Sequence, residues 1–171
     1  MHPEIQQWVL RVKKEYPEYF RAKKVFEVGS LDINGSIRGF FEECTYTGLD
    51  VGEGPGVDIV CPIHQYIKPG AFDVVISTEM LEHDKYWEQS LGAMYSNLKK
   101  GGILILTCAA PNRQEHGTTH TTPKDAPFTN DWYRNISIKD FSSILTPIMF
   151  TNYYLGYYRN MNDLCFYGIK A

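Results

Sequence analysis

The chain has 171 residues, 43% hydrophobic and 22% charged, a size and balance for one globular domain (residues 1–171) that buries roughly 68–70% of its unfolded surface. Its formal net charge of -3 argues against a general polyanion-binding role. No run of about 18 apolar residues and no charged-then-apolar start occurs, so neither a membrane span nor a secretory leader is expected and the default location is cytoplasmic.

Cys44, Cys61, Cys108 and Cys165 lie far apart without C-x-x-C spacing, and are read as thiols in a reducing compartment. Without a secretion signal, the Asn-x-Ser matches at Asn34 and Asn135 are read as chance.

In chain order, residues 4–20 place Ile5, Trp8, Val9, Val12 and Tyr16 at helical spacing, and Pro17 ends or kinks this amphipathic helix. Val25-Phe26-Glu27-Val28 reads as a strand buried inside a parallel sheet. A carboxylate there needs a cation or donors, so positive charge is expected at the strand's mouth, with Gly29, Asp32 and Gly35 forming the turn around it. Residues 36–41 are expected to form a short helix whose free N–H groups face that turn.

Residues 45–51 read as a second strand ending in Asp50, residues 52–56 as a turn, and residues 57–60 as a third strand. Residues 61–71 are too short, with two prolines, for a crossover helix. A fourth strand over 72–78, a helix over 86–98 and a fifth strand over 103–108 follow. Residues 109–135 lack periodicity, the mark of a functional or mobile loop. A short helix over 138–145 and a hairpin of strands over 148–158 and 164–169 close the chain.

Glu27-Val28-Gly29 with Asn34-Gly35-Ser36, then Gly48-Leu49-Asp50, then residues 72–79 with Leu81-Glu82-His83, then residues 101–107 make an ordered set. In this order and spacing they resemble the class I S-adenosylmethionine-dependent methyltransferases, over nearly the whole chain. The resemblance implies an α/β fold: a Rossmann-like, doubly wound seven-strand sheet, mostly parallel, with a C-terminal antiparallel hairpin. It implies S-adenosyl-L-methionine as cofactor. One departure is plain: Leu31 and Ile33 stand where the family has two further glycines, so the turn EVGSLDINGS is expected to take its shape through Asp32 and Asn34.

By the same resemblance, Glu27, Gly29, Ser30, Asp32 and Gly35 surround the methionine part of the cofactor, with Glu27 near its ammonium. Asp50, followed by Val51, receives the ribose hydroxyls. Cys61, Pro62, Ile63 and His64 flank the adenine, although His64 reads equally as a loop histidine. Thr78, Glu79 and Met80 line the floor near the sulfonium. These positions fall at strand ends, where open α/β sheets bind ligands.

A base is required only where the acceptor must lose a proton. The candidates are His116, His120, Asp131 and Tyr133 in the long loop, with Glu115 beside them, and His83, which with Glu82 reads alternatively as an ordinary first-turn residue. His116 and His120 with Asp125 have metal-like spacing, but no helix is expected there and no metal is assigned.

Residues 131–137, preceded by His116, resemble a feature of bacterial methyltransferases of surface-polysaccharide or small-molecule pathways, implying a small-molecule acceptor such as a sugar or other hydroxyl. Nucleic-acid bases are not expected, because Ser77-Thr78-Glu79-Met80 stands where amino-methylating DNA enzymes carry Asp/Asn-Pro-Pro-aromatic. The tyrosines of residues 153–167 are read as hairpin packing. Two other readings stay open: a non-catalytic cofactor-binding module, and a nucleotide-dependent oxidoreductase, which would want G-x-G-x-x-G after the first strand. The oligomeric state is left unassigned.

Overall fold

The computed structural model describes residues 3–171. Seven strands form one sheet: β1 (Lys24–Val28), β2 (Thr45–Asp50), β3 (Ile59–Val60), β4 (Phe72–Thr78), β5 (Leu98–Ala109), β6 (Phe150–Tyr158) and β7 (Asp163–Lys170). Three α-helices accompany it: α1 (Pro3–Glu15), α2 (Trp87–Asn97) and α3 (Ile138–Ile144).

The strand order is β3-β2-β1-β4-β5-β7-β6. Pairing is parallel from β3 through β5, and β7 runs antiparallel to both β5 and β6. The hairpin β6–β7 follows from the short polar link after Tyr158, which holds Arg159, Asn160 and Met161 at positive φ.

Alternate residues of the central strands feed two cores. Val25 of β1, Val74 and Ile76 of β4, and Ile103 and Ile105 of β5 pack with Trp8, Val9 and Val12 of α1. Phe26 and Val28, Val75, Leu104 and Leu106 pack on the other face with Leu91 and Met94 of α2 and Phe141 of α3. Both faces are covered, which is why these strands read as unbroken apolar runs.

The first helix stops at Glu15, before Pro17, which opens a separate 3-10 turn. The helix expected over 36–41 is only the 3-10 turn Arg38–Phe40, so it offers no helix N-terminus to the loop after β1. Three residues with Gly39 in the middle are too few to propagate an α-helix. β3 shrinks to two residues, and β5 begins at Leu98, directly from the end of α2. The β1–β2 and β3–β4 crossovers are thus reduced to 3-10 turns.

Candidate active site

Strand order reverses beside β1, whose neighbours β2 and β4 lead the chain away in opposite directions; the crevice at such a switch point is where open α/β sheets take their ligands. A cavity of about 710 Å³ opens there, lined by Val28 at the end of β1 and Gly29 just after it, Asp50 from β2, Ile63 from the loop after β3, Thr78 at the end of β4 and Met80 just beyond it.

The turn after β1 needs fewer glycines than expected because side chains fasten it. Asp50 Oδ2 accepts from the Leu31 amide at 3.0 Å and Oδ1 from the Gly52 amide at 3.2 Å. The Asp32 amide donates to the Pro55 carbonyl at 2.9 Å, and Asp32 Oδ1 accepts from the Gly35 amide at 2.8 Å. The Leu31 side chain fills the space beside Gly54, where a Cβ would come within 2.4 Å of it. Gly29 suits its place: its φ is +79°, and a Cβ would lie 2.7 Å from the Met80 side chain.

Glu27 is 4% exposed, and its Oε2 accepts from the Tyr46 hydroxyl at 2.9 Å. Burial pushes its pKa up to about 7, partly offset by Tyr46 and then by the charge of Arg38. That guanidinium sits 4.6 Å over the Tyr46 ring and hydrogen-bonds Asp58 at 2.9 Å. Arg38, on the reduced crossover, adds positive charge near Glu27, while its ion pair is made with Asp58.

The opposite end of the cavity holds buried ionisable side chains. Glu79 takes a left-handed backbone, φ 57°, at the end of β4, a conformation unusual for a non-glycine residue and frequent at functional sites. Its carboxylate lies 3.7 Å from Arg113, which also bonds Asp163 at 2.9 Å. Burial, reinforced by Asp163, raises the Glu79 pKa to about 7.

Leu81–His83 forms a 3-10 turn that buries Glu82 and His83. The His83 ring meets His116 edge-on at 5.0 Å and Tyr133 at 5.4 Å, and His116 meets Tyr133 at 5.1 Å. Burial lowers the pKa of His83 to about 4 and lowers that of His116, so both imidazoles are neutral at neutral pH. It raises Glu82 well above the ordinary carboxylate value, and Glu79 adds to that shift. The long loop is stapled in place: the Asn135 side-chain amide donates to the carbonyls of Ala110 and Arg113, and the Tyr133 hydroxyl to that of Gln114.

Of the residues expected around the cofactor, Glu27, Gly29, Ser30, Gly35, Asp50 and Val51 line the cavity, as do Ile63, His64, Thr78, Glu79 and Met80. Asp32 and Cys61 stand outside the lining; Asp32 acts on the turn, and Cys61 packs against the core. On the acceptor side the structure brings together His83, His116 and Tyr133. It does not bring in His120, which is exposed, or Asp131, whose carboxylate is taken by the Thr119 amide and hydroxyl and borders a separate shallow recess. Among the described residues the converging metal-capable group is Glu82, His83 and His116, in place of the spacing-based trio with His120 and Asp125.

Sequence reasoning missed Arg113 and Phe128. Arg113 had no signal of its own, because its carboxylate partners come from β4 and β7. Phe128, 60% exposed at φ 67°, lies over Gly52, where a Cβ would come within 2.1 Å of its ring. An apolar residue in a polar loop was its only mark.

Residues 45–106, from β2 into β5, match the family model described as a methyltransferase domain. The chain has the class I methyltransferase fold. A Burkholderia thailandensis 1,6-didemethyltoxoflavin-N1-methyltransferase, solved with S-adenosylhomocysteine, superposes with a TM-score of 0.63 at 14% identity, covering 91% of this chain and 74% of that one. Haemonchus contortus phosphoethanolamine N-methyltransferase 2 with S-adenosyl-L-methionine gives 0.62 at 17% identity, covering 88% of this chain but 38% of that one. The present chain thus spans little more than a third of the Haemonchus enzyme.

An Archaeoglobus fulgidus SAM-dependent methyltransferase gives 0.63 at 13% identity, covering 96% and 94%. No curated protein matches the sequence. Together the domain match and the fold support an S-adenosylmethionine-dependent methyltransferase, and the cavity suits that cofactor: a glycine cradle, a buried carboxylate and an acidic strand end stand in one wall.

Proposed function

We propose that the chain transfers the methyl group of S-adenosyl-L-methionine to a small-molecule acceptor, a sugar or other hydroxyl, bound at the His83–His116–Tyr133 end of the cavity. The observation that carries this reading is the pairing of Glu27 and Asp50 at adjacent strand ends in one cavity that continues to the histidine cluster. The Burkholderia and Haemonchus enzymes act on small molecules by name, which supports the acceptor's size class but not its identity. No helix among the described residues is long and apolar enough to cross a membrane.

S-adenosylmethionine, when bound, supplies a methyl group already activated on a sulfonium. The protein's own work is therefore positioning. Glu27 offers negative charge to the ammonium end, and Asp50 keeps acceptor lone pairs for the ribose hydroxyls while pinning Leu31 and Gly52. Gly29 lets the backbone approach the ligand, and Thr78 and Met80 form the floor. Phe128, on the loop, covers the ribose side of the cavity and helps exclude water.

Calorimetry with S-adenosylmethionine and, separately, NAD tests the cofactor assignment: the former is expected to bind and the latter not. Formation of S-adenosylhomocysteine across a panel of hydroxylated acceptors tests the transfer. Cofactor binding with no turnover on any acceptor would favour a non-catalytic module.

A further inference from the structure

Three side chains at the acceptor end have no defined role in the methyl-transfer reading. We propose that Glu82, His83 and His116 bind a divalent transition-metal ion, with open coordination positions turned toward the acceptor.

One ligand atom from each residue lies within 4.8 Å of the others, close enough to share an ion. Glu82 is 0% exposed; the backbone amides of Glu82 and Ala109 lie near its carboxylate, but neither oxygen has a hydrogen bond of normal geometry, and no salt bridge reaches it among the described residues. A buried carboxylate in that state is costly unless something positive meets it. Arg113, the nearby cation, forms its ion pairs with Asp163 and Glu79, and its charge acts on Glu82 without an ion pair between them.

The two imidazoles are oriented as ligands are. His116 Nδ1 lies 3.1 Å from the Gln114 carbonyl, which fixes the proton on that nitrogen and turns Nε2 outward as a lone-pair donor. The Trp132 backbone lies beside the His83 ring, whose buried Nδ1 has no hydrogen-bond partner. The His116 ring is thus anchored through the backbone, and each ring keeps one nitrogen for another task. His83 and His116 line the cavity, whereas Glu82 lies behind them, so an ion held by all three would face the ligand space on its open side.

Two imidazoles and one carboxylate suit zinc or ferrous iron, and disfavour magnesium or calcium, which prefer all-oxygen shells. The function of the ion rests on the methyl-transfer reading; its binding does not. An acceptor hydroxyl coordinated to the ion would release its proton to solvent. The oxygen lone pair would then bond the methyl carbon as the carbon–sulfur electron pair leaves with sulfur, giving a methyl ether and a thioether.

The test uses the full chain stripped with a chelator, then titrated with Co²⁺ followed by visible absorption and with Zn²⁺ by calorimetry. About one equivalent of either ion is expected. His116→Ala, on the loop and therefore tolerant of change, should weaken binding roughly 100-fold or more, while His120→Ala should leave it unchanged. S-adenosylmethionine titrated into the same His116→Ala protein should bind within about twofold of the parent, which shows that the site has been lost without the fold.

Binding well below one equivalent, or equal binding by His116→Ala and the parent chain, would overturn the proposal. Metal binding without S-adenosylmethionine binding would leave the ion site standing and sink the methyl-transfer reading. The converse result would do the reverse.

Discussion

At the β1 end of the cavity the walls are mostly backbone: a left-handed glycine, a turn tied to Asp50, and amides and carbonyls bonded between the β1 and β2 loops. At the β4–β5 end they are side chains, Glu79, His83 and His116, with Tyr133 and the buried Glu82 outside the lining; His116 and Tyr133 come from the long loop. The first construction suits a ligand of fixed shape, since backbone can be shaped once and kept. The second suits a site whose chemistry is set by few residues and whose shape varies with the loop. The two ends should therefore respond differently to substitution, the acceptor end losing turnover and the cofactor end losing affinity.

The largest effect is expected from His116→Ala, which should lower turnover about 100-fold or more, the usual scale for removing a group that acts on the reacting proton or its carrier, with cofactor affinity nearly unchanged. Equal losses in both would erase the distinction between the two ends. Next comes Asp50→Ala. A charged hydrogen bond contributes about 1.5–3 kcal/mol, so cofactor affinity should fall roughly tenfold to a hundredfold in calorimetry; an unaltered affinity would remove Asp50 from the site. Gly29→Ala should follow, destabilising the fold by about 1–3 kcal/mol in urea titration through strain at φ +79° and the clash with Met80. A stability equal to the parent's would mean that the turn relaxes freely.

How far each end could be read from sequence follows from the same contrast. The β1 end is local: strand, turn and acidic strand end lie within residues 24–50, so the ordered motifs that carry the resemblance pointed to Glu27, Gly29 and Asp50, and all three line the cavity. The helix expected over 36–41 failed because three or four residues of apolar periodicity do not outweigh nucleation cost, and only the structure shows Arg38, on the reduced crossover, adding positive charge near Glu27. At the acceptor end, His83 and His116 are 33 positions apart, and their meeting depends on where Asn135 staples the loop. Nothing in the loop's composition separates His116 from His120, one in the cluster and one on the surface. Glu82 read as an ordinary turn residue because its burial comes from β5 and the loop rather than from its own neighbours.

The smallest effect, and the one that most sharpens the view of the cofactor end, concerns Glu27. Its pKa in the fold is raised to about 7 from an ordinary 4.5, burial being the main cause. The groups facing it are Tyr46 from β2, Arg38 from the crossover, and the carboxylates Asp32 and Asp50. A carboxyl with a raised folded pKa holds its proton more tightly folded than unfolded. Its contribution to stability is therefore fully present below about pH 4.5 and is lost as pH rises through about 7. Above that the ionised carboxylate is a cost to the empty protein, on the order of 3 kcal/mol at most. A cationic ligand reverses the sign, because an ammonium docked beside Glu27 favours the ionised form. Between pH 6 and about 7.5 cofactor affinity should rise several-fold in the parent chain. Glu27→Gln, which keeps an acceptor for the Tyr46 hydroxyl, should flatten that rise. The same variant without ligand should melt a few degrees higher at pH about 7.5, at roughly 2–4 °C per kcal/mol for a domain of this size. A variant that melts higher yet keeps the parent's affinity and pH dependence would show that Glu27 is a buried structural acid and that the ammonium is held elsewhere.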